Sequence, residues 1–324
     1  MYAAVLMLLN LVIGWFLQTY ETVDLKENGQ FFPSVRWEEY YAQEDNIDVL
    51  VLGSSHAYRT YHPTVLQEGL GDVNVFNFGS SGQTPPTSYY ILDEVLRTHR
   101  PGLVVMDVFV MVFADDSEFT NARINLTSMQ PGPGRSNMFW QGFSWEQKLL
   151  TLFPTYLYRA HAAPKVKKLL GKRYLRPQKE RYVEKGFVEL TDTISTAELK
   201  QVLASIEPVK NLDFITERSI EYLERIQARC ATAGVPLILI VSPIPKMAAD
   251  HQGGIYDEAN AYFSSMAEGW EVPYYDFVHN RLSVLQDDQH YSDDHHLNAA
   301  GARLFSQAVV PIIQKNAQWT KRDN

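Results

Sequence analysis

Four short apolar runs constrain the fold of this chain more than any other feature. They cover residues 47–53, 73–79, 103–110 and 237–243. Continuous apolar runs of this length are typical of parallel strands that are buried on both faces. A fifth run, 272–277, contains a proline at its second position and is therefore expected at the edge of the sheet.

Helical spacing of apolar residues separates these runs. The spacing predicts helices over 88–99, 215–233, 255–270 and 298–315, the last with Asn298 as its N-cap. Strands that alternate with helices form parallel sheets covered by helices on both faces. We therefore expect an α/β fold, a three-layer α/β/α sandwich around a central, mostly parallel sheet.

The composition limits the classes of function. The chain has 324 residues, of which 45% are apolar, so it can bury a sizeable core. Its net charge of −9 argues against a general nucleic-acid binder, because phosphate contacts need a basic surface. A single cysteine, Cys230, excludes an intrachain disulfide framework and a cysteine-rich metal site.

The first twenty residues carry no charged side chain, and residues 2–17 are apolar apart from Asn10 and Gly14. A helix over 1–20 spans about 30 Å, the thickness of one hydrocarbon core. The segment lacks the basic start and the small-x-small site of a cleaved signal peptide. We therefore expect an uncleaved, single-pass transmembrane anchor rather than a buried core helix. The charges that flank the segment do not set its orientation.

The remaining chain divides by composition. We expect a polar connector over 21–46, the α/β domain over 47–316 and a polar tail over 317–324. The alternation of strands and helices lapses within 115–211, which predicts an insertion or cap over the sheet. Within it, residues 159–185 hold ten Lys or Arg against two Glu. This basic run indicates either a solvated helical face or a surface that rests on anionic lipid or an anionic envelope polymer.

Three segments carry residues that are suited to acyl-transfer chemistry. They are Gly53-Ser-Ser-His after the first run, Asn77 to Thr84 after the second, and Asp293 to Asn298 before the last helix. A serine hydroxyl becomes a nucleophile when a neighbouring imidazole takes its proton, and a carboxylate three residues before a histidine can orient that ring. Glycines in the second segment leave backbone N–H groups open to a developing oxyanion.

The order and spacing of these residues resemble the SGNH, or GDSL-like, hydrolase superfamily. The shared pattern is G-x-S after the first strand, N-x-G-x-x-G-x-T after the second, and D-x-x-H-x-N-x-x-G near the C-terminus. The resemblance implies an SGNH-hydrolase or flavodoxin-like sandwich with Ser55 as nucleophile, His296 as base and Asp293 as the partner of the base. The backbone N–H groups of Ser55 and Gly82 would hold the oxyanion. His295 is the residue most easily confused with the base.

The resemblance also has implications for function and location. It implies a serine-dependent esterase or O-acyltransferase that acts on an acylated carbohydrate of the cell envelope, or on a small ester, without a cofactor or metal. The apolar N-terminal segment, the Gly-Ser-Ser-His turn and the His-Leu-Asn ending are similar to an envelope branch of the superfamily, whose members work beside membrane O-acyltransferases. It therefore implies an extracytoplasmic domain at the cell membrane and a membrane O-acyltransferase as partner.

One departure from the family pattern keeps other interpretations open. The superfamily places Gly-x-Asn-Asp after the third strand, where the asparagine donates to the oxyanion, but residues 104–112 contain no such motif. Loss of one oxyanion donor costs about 10²–10³ in rate. A non-catalytic scaffold that binds envelope polysaccharide or assists a membrane O-acyltransferase is therefore an alternative. Another is a metal-dependent hydrolase, whose ligands would come from Asp287, Asp288, His290, Asp293, Asp294, His295 and His296.

Two further expectations follow from the pattern. Ser54 stands where the superfamily usually has an aspartate, a departure that the envelope branch tolerates. An ionised Asp293 favours the charged imidazolium, so we expect the pKa of His296 to lie above its unperturbed ~6.5. Activity should then rise with pH through that titration, because only the neutral ring accepts a proton.

Overall fold

The computed structural model describes residues 2–20, 32–71, 73–114, 119–170 and 179–319. The strands in these residues are β1 (Val49–Leu52), β2 (Val75–Asn77), β3 (Leu103–Asp107), β4 (Glu180–Glu184), β5 (Phe187–Leu190), β6 (Leu237–Val241) and β7 (Tyr274–Asp276). Five of them form one parallel sheet in the order β2-β1-β3-β6-β7, and β4 and β5 form a separate antiparallel hairpin. The five predicted strands are therefore confirmed, with β7 at an edge of the sheet.

Helices account for most of the other described residues. They are α1 (Tyr2–Thr19), α2 (Phe32–Tyr41), α3 (Ser55–Thr60), α4 (Pro63–Leu70), α5 (Pro85–Thr98), α6 (Phe119–Ser128), α7 (Pro133–Asn137), α8 (Trp145–Leu150), α9 (Pro154–Leu157), α10 (Ala162–Leu169), α11 (Thr196–Leu203), α12 (Glu217–Ala233), α13 (Lys246–Gln252), α14 (Ile255–Gly269) and α15 (Ala299–Asn316). The predicted helices correspond to α5, α12, α14 and α15. Asn298 is the N-cap of α15, since its side chain accepts the backbone N–H of Gly301.

Both faces of the sheet are covered. Alternate strand residues point to opposite faces, so each strand supplies two core layers. Leu50 and Met106 belong to a first core cluster with residues of α5, α12 and α14. Val51 and Val105 belong to a second core cluster with residues of α15. All four side chains are fully buried, which confirms the three-layer α/β/α sandwich.

The segment before β1 differs from the polar connector that we expected over 21–46. Residues 21–31 lie outside the described residues, but α2 packs Trp37 and Tyr40 into the first core cluster, where neither is more than 2% exposed. The Trp37 ring lies 4.7 Å from the ring of Phe78, measured between centroids. The sequence did not indicate α2, because the polar neighbours of Trp37 and Tyr40 conceal these large buried side chains.

The predicted insertion over 115–211 contains α6 to α11 and the β4–β5 hairpin. Its hairpin is part of the sandwich, because Phe187 is buried in the second core cluster. Of the basic run, residues 171–178 lie outside the described residues. Arg181 forms an ion pair of 2.6 Å with Glu189, and Lys179 forms one of 2.8 Å with Asp192. Both cations are therefore neutralised by nearby carboxylates, which favours the interpretation of a solvated surface for this part of the basic run.

A buried carboxylate lies at the end of β3. Asp107 is fully buried, and its Oδ2 accepts hydrogen bonds from the hydroxyls of Ser242 and Tyr61. Burial raises the pKa of Asp107 to about 7, although these hydrogen bonds lower it. In the unfolded state the pKa of an aspartate carboxyl is ~3.9. The folded state therefore holds the proton of Asp107 more tightly than the unfolded state does.

We predict that Asp107 makes stability fall as the pH rises from about 4 to about 7. In that window the folded state binds more protons than the unfolded state, so a rise in pH favours unfolding. Relative to Asp107→Asn, the wild type should lose up to roughly 4 kcal/mol of unfolding free energy across the window. Urea titrations of both proteins at several pH values measure the difference. Asp250→Asn, at an exposed ion pair with Lys246, is the control and should track the wild type.

Candidate active site

The turn after β1 brings Ser55 to the start of α3. Gly53 has φ +143°, a conformation that side chains rarely adopt, and a Cβ there would lie 2.8 Å from the Cβ of Asp107. Ser54 is the N-cap of α3, and its hydroxyl accepts the backbone N–H of His56 at 3.3 Å. A glycine and a capping serine therefore end the strand sharply and begin the helix at Ser55.

Three of the predicted residues form one chain of hydrogen bonds. The Nε2 of His296 lies 2.8 Å from the Oγ of Ser55, and its Nδ1 lies 2.8 Å from the Oδ2 of Asp293. The other carboxylate oxygen of Asp293 accepts the backbone N–H groups of His295 and His296 at 3.0 and 2.7 Å. Because both carboxylate oxygens are engaged, the ring of His296 is held with Nε2 toward the serine.

The neighbouring histidine has a different role in the hydrogen bonding. The Nδ1 of His295 lies 3.0 Å from the Oδ1 of Asp294, and its ring packs 3.9 Å from the ring of His296. Among the described residues, no hydrogen bond joins His295 to Ser55. Burial lowers the pKa of His295, but the hydrogen bond to Asp294 and the charge of Asp293 outweigh it and raise the pKa overall. The three-residue spacing therefore selected the histidine that contacts the serine.

The pKa of His296 differs from our expectation. Burial lowers it to about 4, against the hydrogen bond and the charge of Asp293, and the positive charges of His295 and Arg59 lower it further. The expected upward shift is wrong, because the side chain is only 8% exposed and desolvation outweighs the carboxylate. Burial alone would raise the pKa of Asp293, but the hydrogen bond from His296 and both histidine charges hold it well below its usual range. At neutral pH the ring is therefore neutral and the carboxylate ionised.

The loop after β2 lies directly against the turn that carries Ser55. The backbone N–H of Ser80 donates to the carbonyl of Gly53 at 3.2 Å. A Cβ at Gly79 would lie 2.7 Å from the backbone nitrogen of Tyr58, so the two backbones approach more closely than any other residue allows. In the described part of the chain, the backbone N–H groups of Ser55 and Gly82 have no protein acceptor. Both predicted oxyanion donors are thus unpaired.

Side chains that the sequence analysis missed hold this loop in place. Asn125, on α6, donates to the Oγ of Ser80 at 3.1 Å, and its Oδ1 accepts from Arg36 at 2.7 Å. Ser80 in turn donates to Gln83, which donates to Ser88. All of these side chains are buried. No motif marks Arg36 and Asn125, because α2 and α6 are distant from this loop in sequence.

An aromatic ring occupies the position where the family pattern has its third motif. Phe109 follows β3 and stacks on His56, with 3.7 Å between the ring centroids. His56 is 1% exposed, and its Nε2 has no hydrogen-bond partner among the described residues. The departure noted in the sequence therefore has a structural counterpart: an imidazole stacked on a phenyl ring, with no asparagine at that strand end.

Two groups of side chains bring potential metal ligands within 4.8 Å of one another. They are His56 with His295 and His296, and Asp293 with Asp294 and His295. Both ring nitrogens of His296 already have partners in Ser55 and Asp293. Two further ligands of the metal hypothesis have other contacts: Asp287 accepts the backbone N–H groups of Lys246 and Met247, and the Nδ1 of His290 accepts that of Gln286. The candidate ligands of the predicted metal cluster therefore bind different backbone groups instead of converging on one point.

The fold and the site together define an α/β protein with a serine–histidine–aspartate hydrogen-bond chain beside the ends of β1 and β2. No family model and no curated protein matches the sequence. A structure from Desulfitobacterium hafniense DCB-2, assigned to the lipolytic G-D-S-L family, is 13% identical with a TM-score of 0.42, over 82% of this chain and 99% of that one. A proposed acylhydrolase from Bacteroides fragilis NCTC 9343 is 12% identical with a TM-score of 0.41, over 88% and 95%. A lipolytic G-D-S-L family member from Veillonella parvula DSM 2008 is 12% identical with a TM-score of 0.37, over 82% and 98%.

Proposed function

We propose that the protein is an SGNH-type serine esterase or O-acyltransferase. The observation that carries the proposal is the unbroken chain from the Oγ of Ser55 through His296 to Asp293, with 2.8 Å at both links. Such a chain turns a serine hydroxyl into a nucleophile, and the neutral state of His296 at neutral pH suits it to accept the proton.

The reaction proceeds in two acyl transfers. The Oγ of Ser55 attacks the ester carbonyl while Nε2 of His296 takes the hydroxyl proton, and Asp293 stabilises the resulting imidazolium. The backbone N–H groups of Ser55 and Gly82 donate to the tetrahedral oxyanion. Collapse of this intermediate breaks the ester bond, and His296 returns the proton to the departing alcohol. Water or a sugar hydroxyl then attacks the acyl-serine with the same base, which gives hydrolysis or O-acyl transfer.

A fluorophosphonate probe tests this proposal directly. It should label the protein at Ser55, as mapped by peptide mass spectrometry, because the probe reports an activated serine whatever the natural acyl group. Labelling carried out at a pH below the titration of His296 should be slower than at neutral pH, because the protonated ring cannot accept the serine proton. An unlabelled protein, or a label on another residue, would contradict the proposal.

A non-catalytic scaffold is the second candidate, and one observation favours it. The third motif of the family pattern is replaced by the stacked pair of Phe109 and His56, so one oxyanion donor of that pattern is missing. A scaffold of this kind would bind envelope polysaccharide or assist a membrane O-acyltransferase. It would bind carbohydrate without fluorophosphonate labelling, which separates it from the esterase.

We also propose that α1 attaches the protein to the cell membrane, with the sandwich outside the cytoplasm and an acylated envelope carbohydrate as substrate. Among the described residues, α1 is the one helix long and apolar enough to cross a membrane, by length and composition. Most of its side chains are exposed, for example Leu6 and Leu8 at 67% and 61%, which fits contact with lipid rather than with a core.

The middle of α1 is bound to the insertion. The side chain of Asn10 donates to the carbonyl of Leu152 at 2.7 Å and accepts the backbone N–H of Thr155, whose hydroxyl donates to the backbone carbonyl of Asn10. Asn10 lies about 12 Å along the helix from Tyr2, so this contact holds the insertion near the depth of the bilayer core. The insertion also carries exposed apolar side chains, at Trp140, Trp145, Leu152, Phe153 and Tyr156. We propose that these side chains insert into the membrane that α1 crosses.

We predict that charges on α1 release the protein from membranes. The double variant Leu6→Arg/Leu8→Arg places two guanidinium groups in the hydrocarbon region, at ~2.5–3.5 kcal/mol each. The wild type should stay in the membrane pellet after alkaline carbonate extraction, whereas the variant should move largely to the supernatant. Val284→Arg, at another exposed apolar side chain, is the control and should stay in the pellet. A wild type that is soluble without detergent would contradict the proposal.

A further inference from the structure

A small cavity lies beside α3, the helix that begins at Ser55. It measures about 210 Å³ and lies between α2, α3, the loop after β2 and the β4–β5 hairpin. This is smaller than the ~300–1,000 Å³ of sites for drug-sized ligands, so it suits one substituent of a larger substrate. Tyr58 and Arg59 line it from α3, and Ser80 lines it from the loop after β2, which also carries Gly82, one of the two proposed oxyanion donors.

One wall of the cavity holds a buried cation, Arg36, that forms no ion pair with a described carboxylate. Arg36 is 3% exposed, and its guanidinium donates to the carbonyl of Gly79 and to the Oδ1 of Asn125. Its Nε has no partner, and no carboxylate pairs with it among the described residues. Glu39, one helical turn away, instead accepts from the hydroxyl of Tyr182 and a backbone N–H.

Buried charges in proteins are normally paired, because desolvation of a lone ion costs several kcal/mol. Desolvation by burial also lowers the pKa of Arg36, to about 10, so the folded protein holds this cation at a cost. Two neutral carbonyl oxygens and the ring of Phe78, 5.3 Å away, offset only part of that cost. An anionic group in the cavity would supply the missing partner.

A second guanidinium links the cavity to the proposed catalytic base. Arg59 forms an ion pair of 2.9 Å with Glu180, and its Nε donates to the hydroxyl of Tyr58 at 3.1 Å. Its third nitrogen, Nη1, lies 3.4 Å from the Nδ1 of His296. Since Glu180 neutralises Arg59, the described lining of the cavity retains the positive charge of Arg36.

We infer that this cavity binds an anionic substituent of the substrate, a carboxylate or a phosphate, next to the acyl ester that Ser55 attacks. The inference rests on the proposed function and narrows its substrate class to acylated carbohydrates that are themselves acidic, such as uronates or sugar phosphates. A planar guanidinium suits both groups, because it can present two parallel N–H donors. Tyr58 and Arg59, which line the cavity, lie three and four residues after Ser55 on the same helix, so a sugar bound there lies beside the helix of the nucleophile.

The test uses substrate pairs in which one member carries an anionic group and the other is neutral at that position. O-acetylated glucuronate and its methyl ester form the carboxylate pair, and O-acetylated glucose 6-phosphate and O-acetylated glucose form the phosphate pair. The wild type should favour the charged member of one pair by at least roughly tenfold in kcat/KM, because hydrogen bonds to charged groups contribute ~1.5–3 kcal/mol. The pair that shows the preference identifies the anion. No preference in either pair would overturn the inference.

Variants of Arg36 connect that preference to the cavity. Arg36→Gln should bring the ratio of kcat/KM values close to one. Arg36→Lys keeps the positive charge but loses the paired N–H donors of the guanidinium, so it should give an intermediate ratio. Arg97→Gln, which removes a guanidinium paired with Asp93 on α5, is the matched control and should keep the wild-type ratio. An Arg36→Gln protein that keeps the full preference would overturn the inference. If that variant does not fold, the wild-type ratios decide alone.

Calorimetry separates failure of this inference from failure of the proposed function. Glucuronate and inorganic phosphate are titrated into the wild type and into Ser55→Ala, since binding to the cavity does not require the nucleophile. An anion that binds to both proteins supports the site even if no ester is cleaved and no fluorophosphonate label forms. A labelled, active enzyme that binds neither anion and shows no charge preference overturns the site and leaves the esterase proposal in place.

Discussion

Ser55→Ala should lower kcat for a small aryl acetate by at least about 10³-fold, with an unchanged fold by circular dichroism. The reason is geometric: the Oγ of Ser55 is the hydroxyl that lies 2.8 Å from the Nε2 of His296. Without it, no described side chain can form the acyl intermediate at that base. Initial rates with saturating ester, compared at equal protein concentration, measure the loss.

The adjacent serine provides a matched control. Ser54→Ala removes a hydroxyl one residue away, which caps α3 by accepting the backbone N–H of His56. We expect this variant to lose about 1 kcal/mol of unfolding free energy and to keep most of its activity. If Ser54→Ala is inactive and Ser55→Ala active, the nucleophile has been assigned one residue too late.

Asp293→Asn should lower kcat by about 10³–10⁴-fold with little change in KM. The asparagine keeps the shape of the side chain but loses the charge that stabilises His296 when it becomes an imidazolium in the transition state. It also permits the wrong tautomer of the ring, because an amide can donate as well as accept. Asp294→Asn, beside it, alters only the partner of His295 and should cost much less.

The pH profile of the wild type follows from the buried state of His296. The pKa of this ring is lowered to about 4, and only the neutral ring accepts the proton of Ser55. Activity should therefore rise through the region around pH 4 and be level near neutrality, in contrast to an ordinary histidine at ~6.5. His295→Ala removes a neighbouring positive charge and should shift the profile upward with only a modest loss in kcat. A midpoint near 6.5 in the wild type would show that burial does not control this titration.

The fold was largely predictable from the sequence because its strands are buried on both faces. Continuous apolar runs such as 47–53 and 237–243 have few alternatives to a central parallel strand, and the sheet contains both. The contacts of Ser55, Asp293 and His296 were also anticipated, since short motifs fix the local geometry at strand ends and before α15. These features depend on residues that are close together in the chain.

The features that could not be predicted from the sequence depend on contacts between residues that are distant in the chain. The burial of Arg36 and Trp37 arises from packing of α2 against the loop after β2 and against α6, and their neighbours in the sequence are mostly polar. The sign of the His296 shift was missed for a similar reason. Asp293 is visible three residues before it, whereas desolvation depends on every element that packs around the ring.

The close approach at Gly79 has a consequence for how this site could change its specificity. The spacing between the helix of Ser55 and the loop that carries Gly82 is set by main-chain atoms in contact, and a single added carbon at Gly79 would force them apart. Side chains that face the cavity, such as those of Tyr58 and Tyr182, do not take part in that contact. Side chains of the lining can therefore change one by one, while the distance between Ser55 and the loop that carries Gly82 stays as the backbone has set it.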